Sequence, residues 1–162
     1  MGTPETRVAR PRPGRWVAVL GLVAALAGTQ GSFFTYRLLD ELAPAGPVSE
    51  RFLGTPYVPR WVLYAMVAIL AVSLVAALFG ATLTSLAGSL LAAGGIAVLP
   101  LPMMEVVGNL GYDSSSELGL GYFAMVAGCA LAALASAIDV RRRVNRDSAR
   151  EAPSPEAWTG EA

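Results

Sequence analysis

The side chains that most often perform catalysis or bind metals are almost absent from this sequence. It contains no His, and Cys129 is its only cysteine. Without His, the commonest general base and metal ligand is missing. A single Cys cannot form an internal disulfide, a cysteine-based zinc site or a two-cysteine redox pair. We therefore predict no catalytic residues, no cofactor-binding residues and no metal site, and a protein that is not an enzyme.

Two short motifs match functional patterns in their letters but not in their context. The segment 119–124 reads GLGYFA, the GxGxxA spacing of a dinucleotide fingerprint. That motif works after a strand of a βαβ unit, and the sequence predicts no such strand here. The segment 126–129, VAGC, resembles a lipoprotein acylation site but lies inside a long apolar stretch. We interpret these glycines and Cys129 as packing residues.

Two polar side chains could line a ligand cleft. Gln30 lies inside an uncharged stretch, and Glu105 follows Pro102 at the end of another. An amide in lipid usually bonds to a neighbouring helix, often for only about 1 kcal/mol, so an interhelical hydrogen bond is the favoured interpretation for Gln30. Glu105 could pair with Arg60, bind a cation or stay solvated among lipid headgroups.

The elements that would position these residues are four apolar helices. No charged side chain occurs in 17–34, 61–79, 82–104 or 118–138. Crossing about 30 Å of hydrocarbon takes about 20 helical residues, and backbone in lipid must be helical or in a closed barrel. The sequence predicts an all-α integral membrane protein, a bundle of four transmembrane helices with a short outer loop and disordered tails. Its predicted segments are a cytoplasmic tail (1–15), helix one (16–36), an outer loop (37–60), helix two (61–80), a cytoplasmic turn (81–85), helix three (82–104), an outer loop (105–117), helix four (118–139) and a cytoplasmic tail (140–162).

The ends of these helices are predicted from local signals. The uncharged turn at 81–85 favours a hairpin over one helix of about 44 residues, which would overshoot any bilayer. Pro100 and Pro102 should kink or stop the third helix. Ser114-x-x-Glu117 is a capping box that predicts the start of the fourth. In the outer loop, 36–42 could extend the first helix, and 49–53 could form a helical turn.

Arginines set the predicted orientation. All twelve basic residues are Arg, and most lie beside the first and fourth helices. The positive-inside rule places both termini in the cytoplasm of a plasma membrane. The inner-boundary anchors are Arg15, Arg141, Arg142 and Arg143, and Asp139 has the spacing to pair with the last two on a helix. The use of Arg in place of Lys, with abundant Ala and Gly, indicates a GC-rich bacterial genome.

The first helix has an alternative interpretation. A basic start, an apolar run and Ala25-Leu26-Ala27 resemble a signal peptide with a cleavage site. Cleavage would leave three helices with the new N-terminus outside. Because the apolar stretch continues to Phe34, beyond the length of an ordinary signal core, we favour a retained helix.

Small residues recur at four-residue steps and predict close helix packing. On a helix, this spacing places them on one narrow stripe. The stripe serves either packing within the bundle, which we favour, or dimerisation. The residues concerned are Gly21, Ala25, Gly28, Ser89, Ala124, Gly128, Ala132 and Ser136.

The function expected from these features is non-enzymatic. Zero net charge gives no nucleic-acid footprint, and no ionisable residue lies mid-helix, where a proton-coupled exporter would need one. We expect an accessory or structural component of a membrane complex. Its expected partners are the lipid bilayer and either other membrane proteins or a second copy of the chain. The alternative is a small transporter or a lipid- or small-molecule-binding membrane protein with a cleft near Gln30 and Glu105.

Overall fold

The structure is a computed structural model that describes residues 13–36, 48–55, 58–109 and 116–151. This part of the chain is mostly helical and also contains a small sheet, so the all-α prediction is wrong in that respect. Three of its helices are long and apolar enough to cross a membrane: Arg60–Phe79, Thr82–Glu105 and Leu120–Ser148. The elements in chain order are α1 (Pro13–Gly28), β1 (Ser32–Tyr36), β2 (Val48–Arg51), a 3-10 turn (Phe52–Gly54), α2 (Arg60–Phe79), α3 (Thr82–Val98), α4 (Pro100–Asn109), β3 (Ser116–Leu118) and α5 (Leu120–Glu151).

The first helix is shorter than predicted. It ends at Gly28, where the backbone amide of Thr29 and its hydroxyl both donate to the Leu26 carbonyl, at 3.2 and 2.7 Å. Side-chain bonding of this kind replaces the next helical bond and closes the helix. The apolar stretch then continues as β1 instead of a helix to residue 36. Residues 37–42, expected to extend the helix, lie outside the described ranges.

A left-handed glycine separates α2 from α3. Gly80 has φ +77°, and its amide bonds back to the Ala76 and Ala77 carbonyls, which closes the last turn of α2. Glycine adopts this conformation without the steric cost of a Cβ. The chain therefore reverses between Phe79 and Thr82, and α2 packs against α3.

Proline divides the next helical segment. Helix α3 ends at Val98 and α4 begins at Pro100; Leu99 between them keeps helical dihedral angles (φ −55°, ψ −36°), and its amide donates to the Gly95 carbonyl at 3.1 Å. Proline has no amide proton and suits the first turn of a new helix. The third apolar segment consequently follows one helical path from Thr82 to Glu105, with a boundary between α3 and α4 at the proline.

The long helices contact one another in a ring. Helix α1 packs against α5 and α2, and α3 packs against α5 and α2. At one end, which we call the arginine end, Gly14 approaches Asp139 and Arg143 approaches Gly80. At the other, the sheet end, β1 contacts the start of α5. The start of α1 and the end of α5 therefore lie at the same end of the helices, the arginine end.

The sheet is antiparallel, with strand order β2-β1-β3. Thr35 pairs with Ser49 on one side and with Glu117 on the other. The predicted capping box is thus wrong: Glu117 belongs to β3, and α5 begins only at Leu120. Ser114 lies outside the described residues. The segment 49–53, predicted as a helical turn, is divided between β2 and the 3-10 turn.

Helix α5 continues well past the predicted boundary at residue 139. It runs to Glu151, and the side chains of 141–148 are exposed. Its last turns fall within the C-terminal tail, for which the sequence predicts disorder. Arg, Glu and Ala have high helix propensity, and the already formed apolar helix supplies the nucleus on which further turns can add. Residues 152–162 lie outside the described ranges.

Candidate functional site

Helices α1 and α5 approach each other closely, backbone to backbone, at several glycines. A Cβ placed on Gly21 would lie 2.6 Å from the Gly128 carbonyl oxygen, and a Cβ on Gly28 would lie 2.8 Å from that of Gly121. A Cβ on Gly128 would in turn meet the Gly21 oxygen and lie 2.7 Å from the Ala25 nitrogen. Only glycine allows the two backbones to come this close. We call this contact the glycine seam.

The other small residues singled out from the sequence also face the interior of the chain. Ala132 and Ser136 on α5 are buried. The hydroxyl of Ser136 lies 3.3 Å from that of Ser85 on α3, and the Ser89 hydroxyl donates to the Ser85 carbonyl at 2.7 Å. Ala124 is half-buried. Ser136 therefore contacts α3, and Ala132 lies against Gly21 of α1.

The two polar residues of the predicted cleft lie apart from this interior. Gln30 is exposed in the turn after α1, and its Nε2 donates only to Thr29 Oγ1, at 3.4 Å, among the described contacts. Glu105 is exposed on α4. Within the described ranges, no hydrogen bond joins Gln30 to Glu105 and no ion pair joins Glu105 to Arg60.

At the arginine end, Arg143 contacts the end of a neighbouring helix. Its Nη2 donates to the Gly80 carbonyl at 3.0 Å. Carbonyl groups at a helix C-terminus carry partial negative charge, which favours a cation there. Arg141 and Arg142 are exposed beside it, while the half-buried Arg15 has its guanidinium 5.8 Å from the centre of the Trp16 ring. The four predicted anchors thus surround one end of the helices.

Asp139 does not form the predicted pair with Arg142 or Arg143 among the described contacts. Its side chain is buried, and a Cβ on Gly14 would lie 2.6 Å from its Oδ1. The carboxylate is therefore packed against the first turn of α1. The positive end of a helix dipole favours a negative charge at this position.

An aromatic cluster fixes the sheet to the helices. The Phe33 ring makes edge contacts with the rings of Phe52 at 5.2 Å and Tyr122 at 5.6 Å. Phe33, Phe34 and Phe52 are almost fully buried. Aromatic residues near the end of an apolar stretch can lie at the membrane interface, but Phe33 and Phe34 both face the protein. Because Phe33 and Phe34 are adjacent and both buried, with a shift of strand register between Ser32 and Phe34, the segment lacks the alternation that indicates a strand.

The glycines of the GxGxxA segment serve this same attachment. A strand does precede Gly119, contrary to expectation, but β3 is antiparallel to its neighbour β1, and no βαβ unit occurs in the described chain. A Cβ on Gly119 would collide with the Ser32 carbonyl, and one on Gly121 would lie 2.8 Å from it. The segment is thus a packing motif.

The sheet carries polar groups that the sequence did not single out. The Tyr36 hydroxyl donates to Glu50 Oε1 at 3.2 Å, and the hydroxyls of Thr35 and Ser49 lie 3.2 Å apart. Burial raises the pKa of the Glu50 carboxyl above its ordinary value, and the hydrogen bond from Tyr36 opposes this shift. Their partners lie on different strands, so the contacts depend on pairing that no local pattern shows.

A groove opens between α2 and α3 on the outside of the helices. It encloses about 350 Å³, and its accessible lining is entirely apolar. The Ser73 hydroxyl turns away and donates to the Ile69 carbonyl at 2.7 Å, and a Cβ on Gly88 would collide with Ser73. Residues on its two walls include Ala68, Val72 and Ser73 on α2 and Thr84, Ala87 and Gly88 on α3.

The described residues offer a packed scaffold and one groove in place of reactive groups. They include no group of three or more His, Cys, Asp or Glu side chains able to hold a metal. Cys129 is buried within α5. No protein-family model matches this chain, and no curated protein sequence is significantly similar to it. Inferences about function therefore depend on the geometry described above.

Proposed function

We propose that this chain is an integral membrane protein in which α1, α2, α3 and α5 form a four-helix transmembrane bundle. The observation that carries the proposal is the distribution of apolar side chains. Large ones are exposed on every helix of the ring, for example Leu20 at 67%, Tyr64 at 60%, Leu83 at 68% and Leu134 at 63%. Water-soluble monomers rarely expose apolar patches of that extent, whereas lipid is a favourable surrounding for them.

Helix α1 is the shortest of the four, and its surroundings support a membrane position nonetheless. Its 16 residues extend about 24 Å, less than a hydrocarbon core of about 30 Å. The following backbone of β1 is paired on both sides and packed on α5. Non-helical backbone is tolerated at membrane depth where protein surrounds it. Local thinning of the bilayer or snorkelling of flanking residues can accommodate the remainder.

The orientation we propose puts the arginine end in the cytoplasm of a bacterial plasma membrane. Four arginines flank the helices there, namely Arg15, Arg141, Arg142 and Arg143. Basic residues beside transmembrane helices remain on the cytoplasmic side. The sheet end would then face outward, and both chain termini would be cytoplasmic.

We propose that the protein acts as a non-enzymatic accessory or structural component of a membrane complex. The small-residue faces contact helices of the same chain, as the glycine seam illustrates, so they are not free to bind a partner. The surfaces left for partners are the apolar outer faces of the helices and the polar face of the sheet. The contact with a partner is therefore expected on the outer surface of the bundle and not on the small-residue faces. The predicted cleft at Gln30 and Glu105 gains no support, which weakens the transporter alternative.

Cysteine accessibility tests the membrane arrangement. In a Cys129→Ala background, single cysteines replace Ser49 or Glu117 at the sheet end and Ala81 or Ser148 at the arginine end; all four residues are exposed. An impermeant maleimide should label the first two in intact cells and the last two only after permeabilisation. Labelling of Ala81→Cys together with Ser49→Cys in intact cells would overturn the hairpin.

The accessory role is tested through the sheet. Purification from native membranes in a mild detergent should recover a stoichiometric partner with the wild-type chain. Ser49→Arg, on β2, should release that partner, and Ser148→Arg, at the opposite end, should retain it at equal protein levels. Retention by both variants would exclude the sheet as the contact. A purified protein that alone moves or converts a substrate in liposomes would exclude the accessory role.

A further inference from the structure

We propose that the groove between α2 and α3 binds one acyl chain of an anionic phospholipid, whose phosphate lies at the arginine end near Arg143. The proposal rests on the membrane position argued above. It combines two separate observations, an apolar groove and a cation held at one of its ends. Neither the groove nor the charge was anticipated as a ligand site.

The groove has the chemistry of an acyl-chain site. Its volume of about 350 Å³ is within the range of about 300–1,000 Å³ that small-molecule sites occupy. No polar atom contributes to its accessible lining. The Ser73 hydroxyl already donates to the Ile69 carbonyl within the same helix. A hydrocarbon chain would lose no hydrogen bond on entering, and a polar ligand would find no partner.

One end of the groove lies near the level of the charge along the helix axis. Its residues nearest the helix turn are Ser73 and Thr84, which precede and follow Gly80 by seven and four positions. With a rise of 1.5 Å per residue, Ser73 lies about 10 Å and Thr84 about 6 Å along the axis from the turn. Arg143 is bonded to the Gly80 carbonyl at that turn. Along the helix axis, the cation therefore lies beyond the arginine end of the groove, at the level where the headgroup of a bound lipid would lie.

Arg143 has the capacity to bind a phosphate. An arginine carries five N–H donors, and the described contacts engage one of them. Arg142 and Arg146 are exposed on the same helical segment, with Asp147 as the nearby exposed acid. Clusters of arginine at the inner membrane boundary attract anionic lipid headgroups.

The same charge argues against a second copy of the chain in the groove. Two parallel copies that packed through this face would bring their arginines to the same membrane level. Like charges would then face each other across the contact. A phospholipid brings the complementary charge instead, and its chain matches the apolar lining.

Lipid retention by the purified chain tests this site. The protein in a nonionic detergent is given equal amounts of dioleoyl-phosphatidylglycerol and dioleoyl-phosphatidylcholine, and native mass spectrometry counts the bound lipids. The wild type should retain phosphatidylglycerol preferentially. Arg143→Gln should weaken this binding about fivefold, the effect of one arginine near an anionic surface. Arg51→Gln, which removes an exposed arginine of the sheet, should leave it unchanged.

Two variants fill the groove from opposite walls. Ala87→Phe and Ala68→Phe, both at exposed positions, should abolish most phosphatidylglycerol binding, while Ala97→Phe, exposed on α3 outside the groove, should not. Using both walls guards against one variant that fails to fold, which size-exclusion elution would reveal. Unchanged binding by either folded groove variant, or equal retention of both lipids by the wild type, would overturn the site. A wild-type dimer that Ala87→Phe dissociates would show a helix contact there instead. The maleimide assay on the same protein reports separately whether the membrane arrangement itself fails.

Discussion

The glycine seam gives a direct test of how closely α1 and α5 approach. Gly128→Ala adds one methyl group at the centre of this contact. That methyl would meet the Gly21 carbonyl oxygen and lie 2.7 Å from the Ala25 nitrogen. Both are backbone atoms, so no side chain can rotate away to make room. The helices themselves must separate.

The expected cost can be derived from these distances. Ordinary van der Waals contact begins at 3.4 Å, so α1 must move by about 0.7 Å at Ala25. Inserting a methyl into a packed contact that has to shift costs about 1–3 kcal/mol. Alanine also gains about 1 kcal/mol of helix propensity over glycine. Gly94→Ala in α3 is a control that measures the gain in helix propensity alone, because a Cβ there would meet nothing within 4 Å.

The measurement is thermal unfolding of the purified protein in detergent, followed by circular dichroism. Both variants gain the same helix propensity, so the difference between them is the packing cost of about 1–3 kcal/mol. At this chain length, each kcal/mol shifts the melting temperature by about 2–4 °C. Gly128→Ala should therefore melt below the wild type or close to it, and Gly94→Ala above it. Equal melting of the two variants would refute the close approach of the helices.

Two smaller effects follow from the polar contacts. Ser85→Ala and Ser136→Ala, made singly and together, should give a double-mutant coupling of about 0.6 kcal/mol, the average for interhelical bonds in membranes; strictly additive losses would mean that the two hydroxyls do not interact. Burial raises the pKa of the Glu50 carboxyl above its ordinary 4.5, despite the opposing hydrogen bond from Tyr36. The folded sheet then binds the proton more tightly than the unfolded chain does, so its stability should fall as pH rises from 4.5 through the raised pKa. Hydrogen exchange of the β1 and β2 amides measures this trend, and Glu50→Gln should remove it; a stability that rises with pH instead would contradict the assigned burial.

The long helices could be predicted from the sequence because the signal is local and strong. An uncharged run of about 20 residues has few alternatives in a chain of this composition. Pro100 is also a local signal, because the absence of its amide proton affects the helical segment in which it lies. Three of the apolar stretches accordingly contain helices long enough to cross a membrane.

The sheet could not be predicted because it depends on distant parts of the chain. Phe34 pairs with Leu118, more than 80 positions away, and three to five residues are too few to show the alternation of a strand. The local capping signal at Glu117 therefore lost to strand pairing. The groove was equally hidden, since Ala68 and Ala87 become its walls only when α2 folds back on α3.

The partners in the glycine seam are also the most widely separated helices in the order of synthesis. About 90 residues lie between the end of α1 at Gly28 and the start of α5 at Leu120. At about 5–20 residues per second, a ribosome needs roughly 5–20 seconds to add them. During that interval α1 must remain in place with its glycine face uncovered, and α2 is the first described helix available to hold it. The glycine seam is thus one of the last helix contacts to form.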